Sequence, residues 1–342
     1  MESAKDRLVG VVTKTGWQFI EKYEPQEGHT GGFFSTGYSV TRGNETAFAK
    51  ALDLSEAFQE STDLISSLKE RIDIIDFERF LLQRCRESRL SNVVRLLECD
   101  SIPSSNAIDT VYYFVFEKAE GDIRKFVSES DTSSVDTIFK LLILHDVATG
   151  LNQLHTIGIA HQDLKPSNVL VYEKVAKITD LGRSSSKEKP FIYDNLLVPG
   201  DCTYAPLDLL FGYRWSSDFS FRYAMDLYEL GSLMLFLFCG YHMTPGIIMK
   251  AKITNFNESY SQIKPEIQRS IAQIVNEFDS SLMKNGFSES NRTRMKEMLR
   301  YLCSADPEER GNYHSNRNVS FNLQRYISEF DLLLKRAQQG QL

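Results

Sequence analysis

The chain has 342 residues, room for about two domains at roughly 150 residues each and for a substantial buried core. With 42% hydrophobic and 25% charged residues it has the composition of an ordinary folded protein, which excludes a mostly disordered or collagen-like chain. A net charge of −7 argues against a role in coating nucleic acid. The five cysteines are scattered, with no Cys-x-x-Cys pair, so neither a disulfide framework nor a cysteine-rich zinc site is supported. A reducing cytoplasm is the default reading. The amino terminus lacks a signal-peptide pattern, and the most apolar stretch, residues 230–240, is shorter than the about 20 residues a bilayer span needs. That stretch reads as a buried core helix, and no membrane partner is expected.

In chain order, residues 17–53 are rich in Gly, Phe, Tyr, Thr and Val and read as short strands joined by turns, among them 42–45 before the strand TAFAKAL. Helical spacing takes over at about 55–89, where Ile74, Phe77, Leu81 and Leu82 recur on one face. Strands return at 93–98 and 111–117, and Gly121 closes the second. Residues 135–155 carry Ile138, Leu141, Leu144, Val147, Leu151 and Leu154 on a broad apolar face. Two short strands, NVLVY and AKITD, precede a polar, irregular segment over 183–202, and the rest reads as helices with polar connectors. The order suggests two lobes with a hinge near 117–121.

The most informative stretch is HQDLKPSN, residues 161–168, between a long amphipathic helix and a strand; Asp180 ends the next strand in ITDLG. Phosphoryl transfer needs a metal ion held by hard oxygen ligands, a carboxylate that orients the attacking hydroxyl and takes its proton, and a cation beside the moving group. Asn168 and Asp180 can supply the metal ligands, Asp163 the base and Lys165 the cation.

On these residues the sequence resembles the eukaryotic-type Ser/Thr protein kinases. HQDLKPSN is similar to the family's H-R-D-L-K-P-x-N, and DLG to its metal-binding D-F-G, within a resemblance that covers about 12–310. It implies an α+β, bilobal fold: a small β-rich N-lobe with one main helix (1–118, with a helical insert at about 55–71) and a larger helical C-lobe (119–342). It implies ATP and Mg2+ in a cleft between the lobes and a protein substrate with a Ser or Thr acceptor. Lys50 in AFAK resembles the strand lysine that holds the α- and β-phosphates, and Glu78 its helix partner, with Asp76 and Glu87 as nearby alternatives. Gly28, Gly31 and Gly32 form a glycine-rich turn whose backbone N–H groups could cradle phosphates, although the spacing departs from G-x-G-x-x-G. Phe48 stands where the family places a small alanine over adenine.

In YFVFEKAEGDI, Phe116 resembles the gatekeeper, the backbones of Glu117 and Ala119 would bond adenine, Asp122 would reach the ribose, and Leu170 would floor the pocket. Gln162 replaces the arginine that often pairs with a phosphorylated activation-loop residue, so activity is expected to depend little on that modification. The serine run 184–186 beside Lys187 and Lys189 reads as a solvated loop open to modification. Residues 200–212 resemble the substrate-positioning loop and its A-P-E ending, with Asp201 in place of threonine and Asp208 in place of glutamate. Arg310 is the expected partner of Asp208, and Asp226 the acid that braces the catalytic loop; His161 is likewise expected to be structural. A longer helical insert at about 253–291 and the apolar stripe of the C-terminal helix (319–337) offer possible docking faces for a partner protein, although such stripes usually pack on their own core. The alternatives are a pseudokinase acting as scaffold or allosteric partner and, with less support, a small-molecule kinase of the aminoglycoside or choline type.

Overall fold

The computed structural model describes residues 3–24, 35–54, 57, 63–104, 109–128, 136–173, 175–311 and 321–342. The chain divides into two compact units, Met1–Glu120 and Gly121–Leu342.

The first unit is built on a five-stranded antiparallel sheet in the order β1-β2-β3-β5-β4: β1 is Gln18–Lys22, β2 Thr36–Arg42, β3 Glu45–Leu52, β4 Leu96–Ile102 and β5 Val111–Glu117. The β2–β3 turn places Gly43 at φ +60°, a left-handed conformation that glycine adopts without a Cβ clash. Alternation on β3 sends Ala47, Ala49 and Ala51 into a core with Trp17, Phe19, Tyr38 and Val115, while Phe48 and Lys50 share the half-open face. The β4 strand begins three residues later than the pattern at 93–98 suggests. Val93 forms only an isolated bridge and Val94 no pairing, yet both are buried, so their apolar character reflects packing more than strand pairing.

Helix α1, Leu64–Glu87, is one continuous helix capped by Asp63, whose carboxylate accepts from Ser66 N–H. The inserted helical stretch expected at 55–71 therefore has no separate existence over 64–71, which form the first turns of the helix that carries Glu78. No Gly or Pro interrupts the sequence between Asp63 and Glu87 to break it. Residues 55–56 and 58–62 lie outside the described set.

The second unit is mainly helical: α2 Ile123–Ser128, α3 Thr137–Thr156, α4 Leu207–Leu210, α5 Ser220–Cys239, α6 Met243–Ala251, α7 Tyr260–Lys284, α8 Glu289–Leu302 and α9 Gln324–Gln338. Short strands line it: β6 (Gly121–Asp122), β8 (Val169–Tyr172) and β9 (Val175–Ile178) form one sheet, and β7 (Ile159–Ala160) pairs with β10 (Ser185–Ser186). Asp136 caps α3, and the leucines and Val147 on its apolar face are fully buried. The apolar stretch at 230–240 is the end of the central helix α5, closed by Gly240 at φ +79°. Among the described residues no single helix is long and apolar enough to cross a membrane.

Within 253–291, residues 253–259 are non-helical, and α7 turns Ile267, Ile271, Ile274, Val275, Phe278 and Leu282 into the core. The stripe on α9 does the same with Tyr326, Phe330, Leu333 and Leu334, packing along α3. Both apolar faces are thus consumed within the unit. The five cysteines are free thiols.

Candidate functional site

Two clusters hold the residues singled out from the sequence. In the first unit, Lys50 lies opposite Gly37 on β2 and Phe114 on β5, and its Nζ is 2.7 Å from Oε1 of Glu78. Glu78 is buried, so the pair is poorly screened by solvent. Asp76 is bonded by Arg79 one turn along the same helix. The Phe48 ring is tilted against Tyr23 with centroids 5.8 Å apart. A Cβ on Gly37 would come within 3.0 Å of that ring, so the absent side chain at Gly37 makes its room. Gly28, Gly31 and Gly32 lie outside the described residues.

Phe116 is buried on β5 opposite Phe48. The Glu117 carboxylate accepts from Arg95 N–H at 3.0 Å, and Ala119 is half-buried just beyond the strand. Asp122 pairs in register with Leu170, but its carboxylate is engaged by Arg124 through the backbone N–H (2.9 Å), Nε (3.0 Å) and Nη2 (2.8 Å).

In the second unit the 161–168 loop runs between β7 and β8. Its backbone is pinned from below by α5: Asp226 accepts from His161 N–H (2.9 Å) and Gln162 N–H (2.7 Å), and Glu229 from Leu164 N–H (2.8 Å). His155 Nε2 adds a bond to Asp226 at 2.7 Å. His161 Nε2 faces the Thr179 carbonyl at 3.0 Å and so carries the proton, which leaves Nδ1 to accept from Asp163 N–H. These bonds hold Gln162 at φ +60°, a strained conformation for a side chain with a Cβ.

The loop gathers three polar side chains. Lys165 Nζ is 3.2 and 3.1 Å from the two Asp163 oxygens. Asn168 Nδ2 donates to the Asp163 backbone carbonyl (2.8 Å) and to its Oδ2 (3.1 Å). From the following segment, Asp201 N–H donates to Asp163 Oδ1 at 2.8 Å, and the Asp201 carboxylate is 3.7 Å from Lys165. Burial raises the Asp163 pKa above the usual carboxylate value; Lys165 works against the shift, and the Asp180 charge adds to it. Burial disfavours the Lys165 charge, but Asp163, Asp201 and Asp180 outweigh it and hold the ammonium above its ordinary value. Asp180, just after β9, is at φ +62°. The arrangement is a carboxylate with enhanced proton affinity, clamped by a lysine, an amide and a backbone N–H, with a second acid in electrostatic range.

The serine run is not a solvated loop. Ser184 and Ser185 are fully buried and Ser186 nearly so, because β10 pairs with β7. At the end of the segment, Asp208 and Arg310 form a buried two-pronged pair, Nη1–Oδ2 3.3 Å and Nη2–Oδ1 2.5 Å. The sequence reading passed over Arg222 and Glu229. A signal for both exists: with Asp226 they fall at i, i+4 and i+7, three charges on one stripe of an otherwise apolar helix.

The model of the protein kinase domain matches residues 34–321. The chain belongs to the protein kinase domain family. Among curated relatives, extracellular signal-regulated kinase 7 of Drosophila melanogaster is 24% identical over 268 residues, 76% of this chain and 26% of that protein. Serine/threonine-protein kinase DCLK1 of Rattus norvegicus is 24% identical over 216 residues, 61% and 45% of the two chains. Serine/threonine-protein kinase SSN3 of Coccidioides immitis is 32% identical over 158 residues, 44% and 31%. The matched stretch thus spans about a quarter to a half of the length of these relatives.

Proposed function

We propose that the protein is a serine/threonine protein kinase that transfers the γ-phosphoryl group of ATP to a Ser or Thr hydroxyl of a protein substrate. The observation that carries this reading is the Asp163 cluster: a buried carboxylate fixed by Lys165, Asn168 and Asp201 N–H, in a loop anchored on a core helix. Asp163 orients the acceptor hydroxyl and takes its proton. The hydroxyl oxygen bonds to the γ-phosphorus as the bond to the departing ADP oxygen breaks. Lys165 places positive charge beside the moving group. In the first unit, Lys50, oriented by Glu78, holds the nucleotide phosphates.

The residues suit Mg2+. Asp180 and Asn168 offer hard oxygens, and Mg2+ typically takes one or two protein ligands with phosphates and water completing the shell. The ion would neutralise charge on the phosphates. Gln162 supports activity without activation-segment phosphorylation, since a neutral amide forms no ion pair with phosphate.

The test is transfer from labelled ATP, with Mg2+, to a generic protein substrate. General-base catalysis contributes about 10²–10⁴-fold, so Asp163→Ala should lose about that much, and Asp180→Ala should lose metal-dependent turnover. An Asp163→Ala protein with the parental rate sinks the reading. The competing reading, a pseudokinase, is favoured by Phe48 standing on the Lys50 face of β3. It wins if thermal unfolding shows no stabilisation by ATP with or without Mg2+ and no label is transferred.

A further inference from the structure

Gln162 is fully buried, and its side-chain amide is used at both ends. Oε1 accepts from Arg222 Nη1 at 2.6 Å, and Nε2 donates to Ser185 Oγ at 2.7 Å and more weakly to the Arg183 carbonyl at 3.4 Å. Ser185 Oγ donates onward to Asp194 Oδ1 at 2.6 Å. Arg222 Nη2 closes the ring, donating to the Asp194 carbonyl at 2.7 Å and standing 3.5 Å from its Oδ1. The other Asp194 oxygen accepts from Phe191 N–H at 2.7 Å. Four side chains from three places thereby form one closed circuit: the loop that carries Asp163, the segment over 185–194, and the first turn of α5.

The circuit is balanced in charge. One guanidinium, only 4% exposed, faces one carboxylate, and two neutral groups fill the remaining donor and acceptor positions. A buried guanidinium needs such a partner, because an unpaired buried charge is strongly disfavoured. The Ser185 hydroxyl is already spent on Asp194, and a phosphoryl group there would bring two negative charges to a site with one cation and one carboxylate.

We propose that Arg222 and Asp194 are positioning residues for phosphoryl transfer, fixing the 185–194 segment against the loop of Asp163 through Ser185 and Gln162 in place of a phosphorylated residue. The inference rests on the kinase reading above. The four act through the backbone between Gln162 and Asp163, whose geometry sets where the acceptor hydroxyl is held.

The experiment compares the full chain, treated with a phosphatase and checked by mass spectrometry, with Asp194→Asn and Arg222→Lys. The parent should keep its full rate after dephosphorylation. Asp194→Asn should lose about tenfold or more in kcat with KM for ATP within about twofold. Arg222→Lys keeps the charge but cannot bridge Gln162 and Asp194 together, and should lose less. Hydrogen exchange over 185–199 should rise in both variants. Should Asp194→Asn fail to fold, Ser185→Ala removes one edge of the ring and should lose about two- to fivefold in kcat. Folded variants with the parental kcat and exchange overturn the proposal and leave the kinase reading intact, as does a parent that dephosphorylation inactivates. A parent that labels no substrate, before or after phosphatase, overturns the kinase reading and this proposal with it.

Discussion

Gly200 shows how closely the segment that carries Asp201 must approach the 161–168 loop. A Cβ at this position would lie 2.3 Å from the Gln162 carbonyl oxygen and 2.8 Å from Asp163 Oδ1, closer than any real Cβ tolerates. The approach is what allows the next N–H, that of Asp201, to reach Asp163. Both contacts are rigid, one being backbone and the other a clamped carboxylate, so the neighbours cannot yield cheaply. Gly200→Ala should push the segment away and break the Asp201 bond. It is expected to cost about 1–3 kcal/mol of stability, as overpacking does, and at least about tenfold in phosphoryl transfer. Thermal unfolding and steady-state kinetics check this, and an alanine variant matching the parent in both contradicts it. Asp163, Lys165 and Asn168 were legible in the sequence because they fall within one octapeptide. Gly200 was visible only as the start of a segment, because its requirement comes from a contact 37 positions away along the chain.

Helix α5 carries three charges into an apolar interior, and each has a local purpose. Arg222 reaches Gln162 and Asp194, Asp226 accepts two backbone N–H groups, and Glu229 accepts the Leu164 N–H through Oε2, while its Oε1 has no hydrogen-bond partner. Burial, reinforced by the Asp226 and Asp163 carboxylates, raises the Glu229 pKa well above the ordinary value. The sign follows from linkage. A carboxyl with a raised folded pKa contributes stability that is fully present below its unfolded value and is lost as pH rises through the folded value. Glu229→Gln is neutral throughout and still offers an oxygen to Leu164 N–H, so it escapes that loss. Its melting temperature relative to the parent should be higher at pH 8 than at pH 5; a difference independent of pH would show that Glu229 is ionised alike in both states. At this scale most elements were readable, because the apolar faces of α3 and α5 repeat over many turns. The α1 boundary and the buried β10 were not. Helix periodicity does not mark where a first turn begins whose apolar residues, Leu64 and Ile65, face solvent, and a two-residue strand formed by Ser185 and Ser186 has no periodicity at all.

In the whole molecule, the length of chain between Asp208 and Arg310 is closed by a pair that is almost wholly buried, 1% and 2% exposed. Arg310 also donates through Nε to the Ser304 carbonyl at 3.0 Å and lies over the Tyr228 ring at 5.1 Å, so all three nitrogens and one face of the guanidinium are engaged. The sequence pointed to this partnership through the resemblance alone, since nothing local to either residue says that they meet 102 positions apart. Removing one partner leaves a buried charge without its counter-ion, which costs about 3–5 kcal/mol, whereas replacing both with apolar groups of similar volume is often nearly neutral. Asp208→Ala should therefore lower the melting temperature by on the order of 10 °C for a unit of this size. The combination Asp208→Leu with Arg310→Met should recover at least half of that loss, less whatever the Ser304 and Tyr228 contacts contribute. Thermal unfolding of Asp208→Leu, Arg310→Met and the double variant measures the coupling directly. If the double variant is as unstable as the sum of the singles, the pair is not a coupled unit, and the two residues stabilise the chain separately.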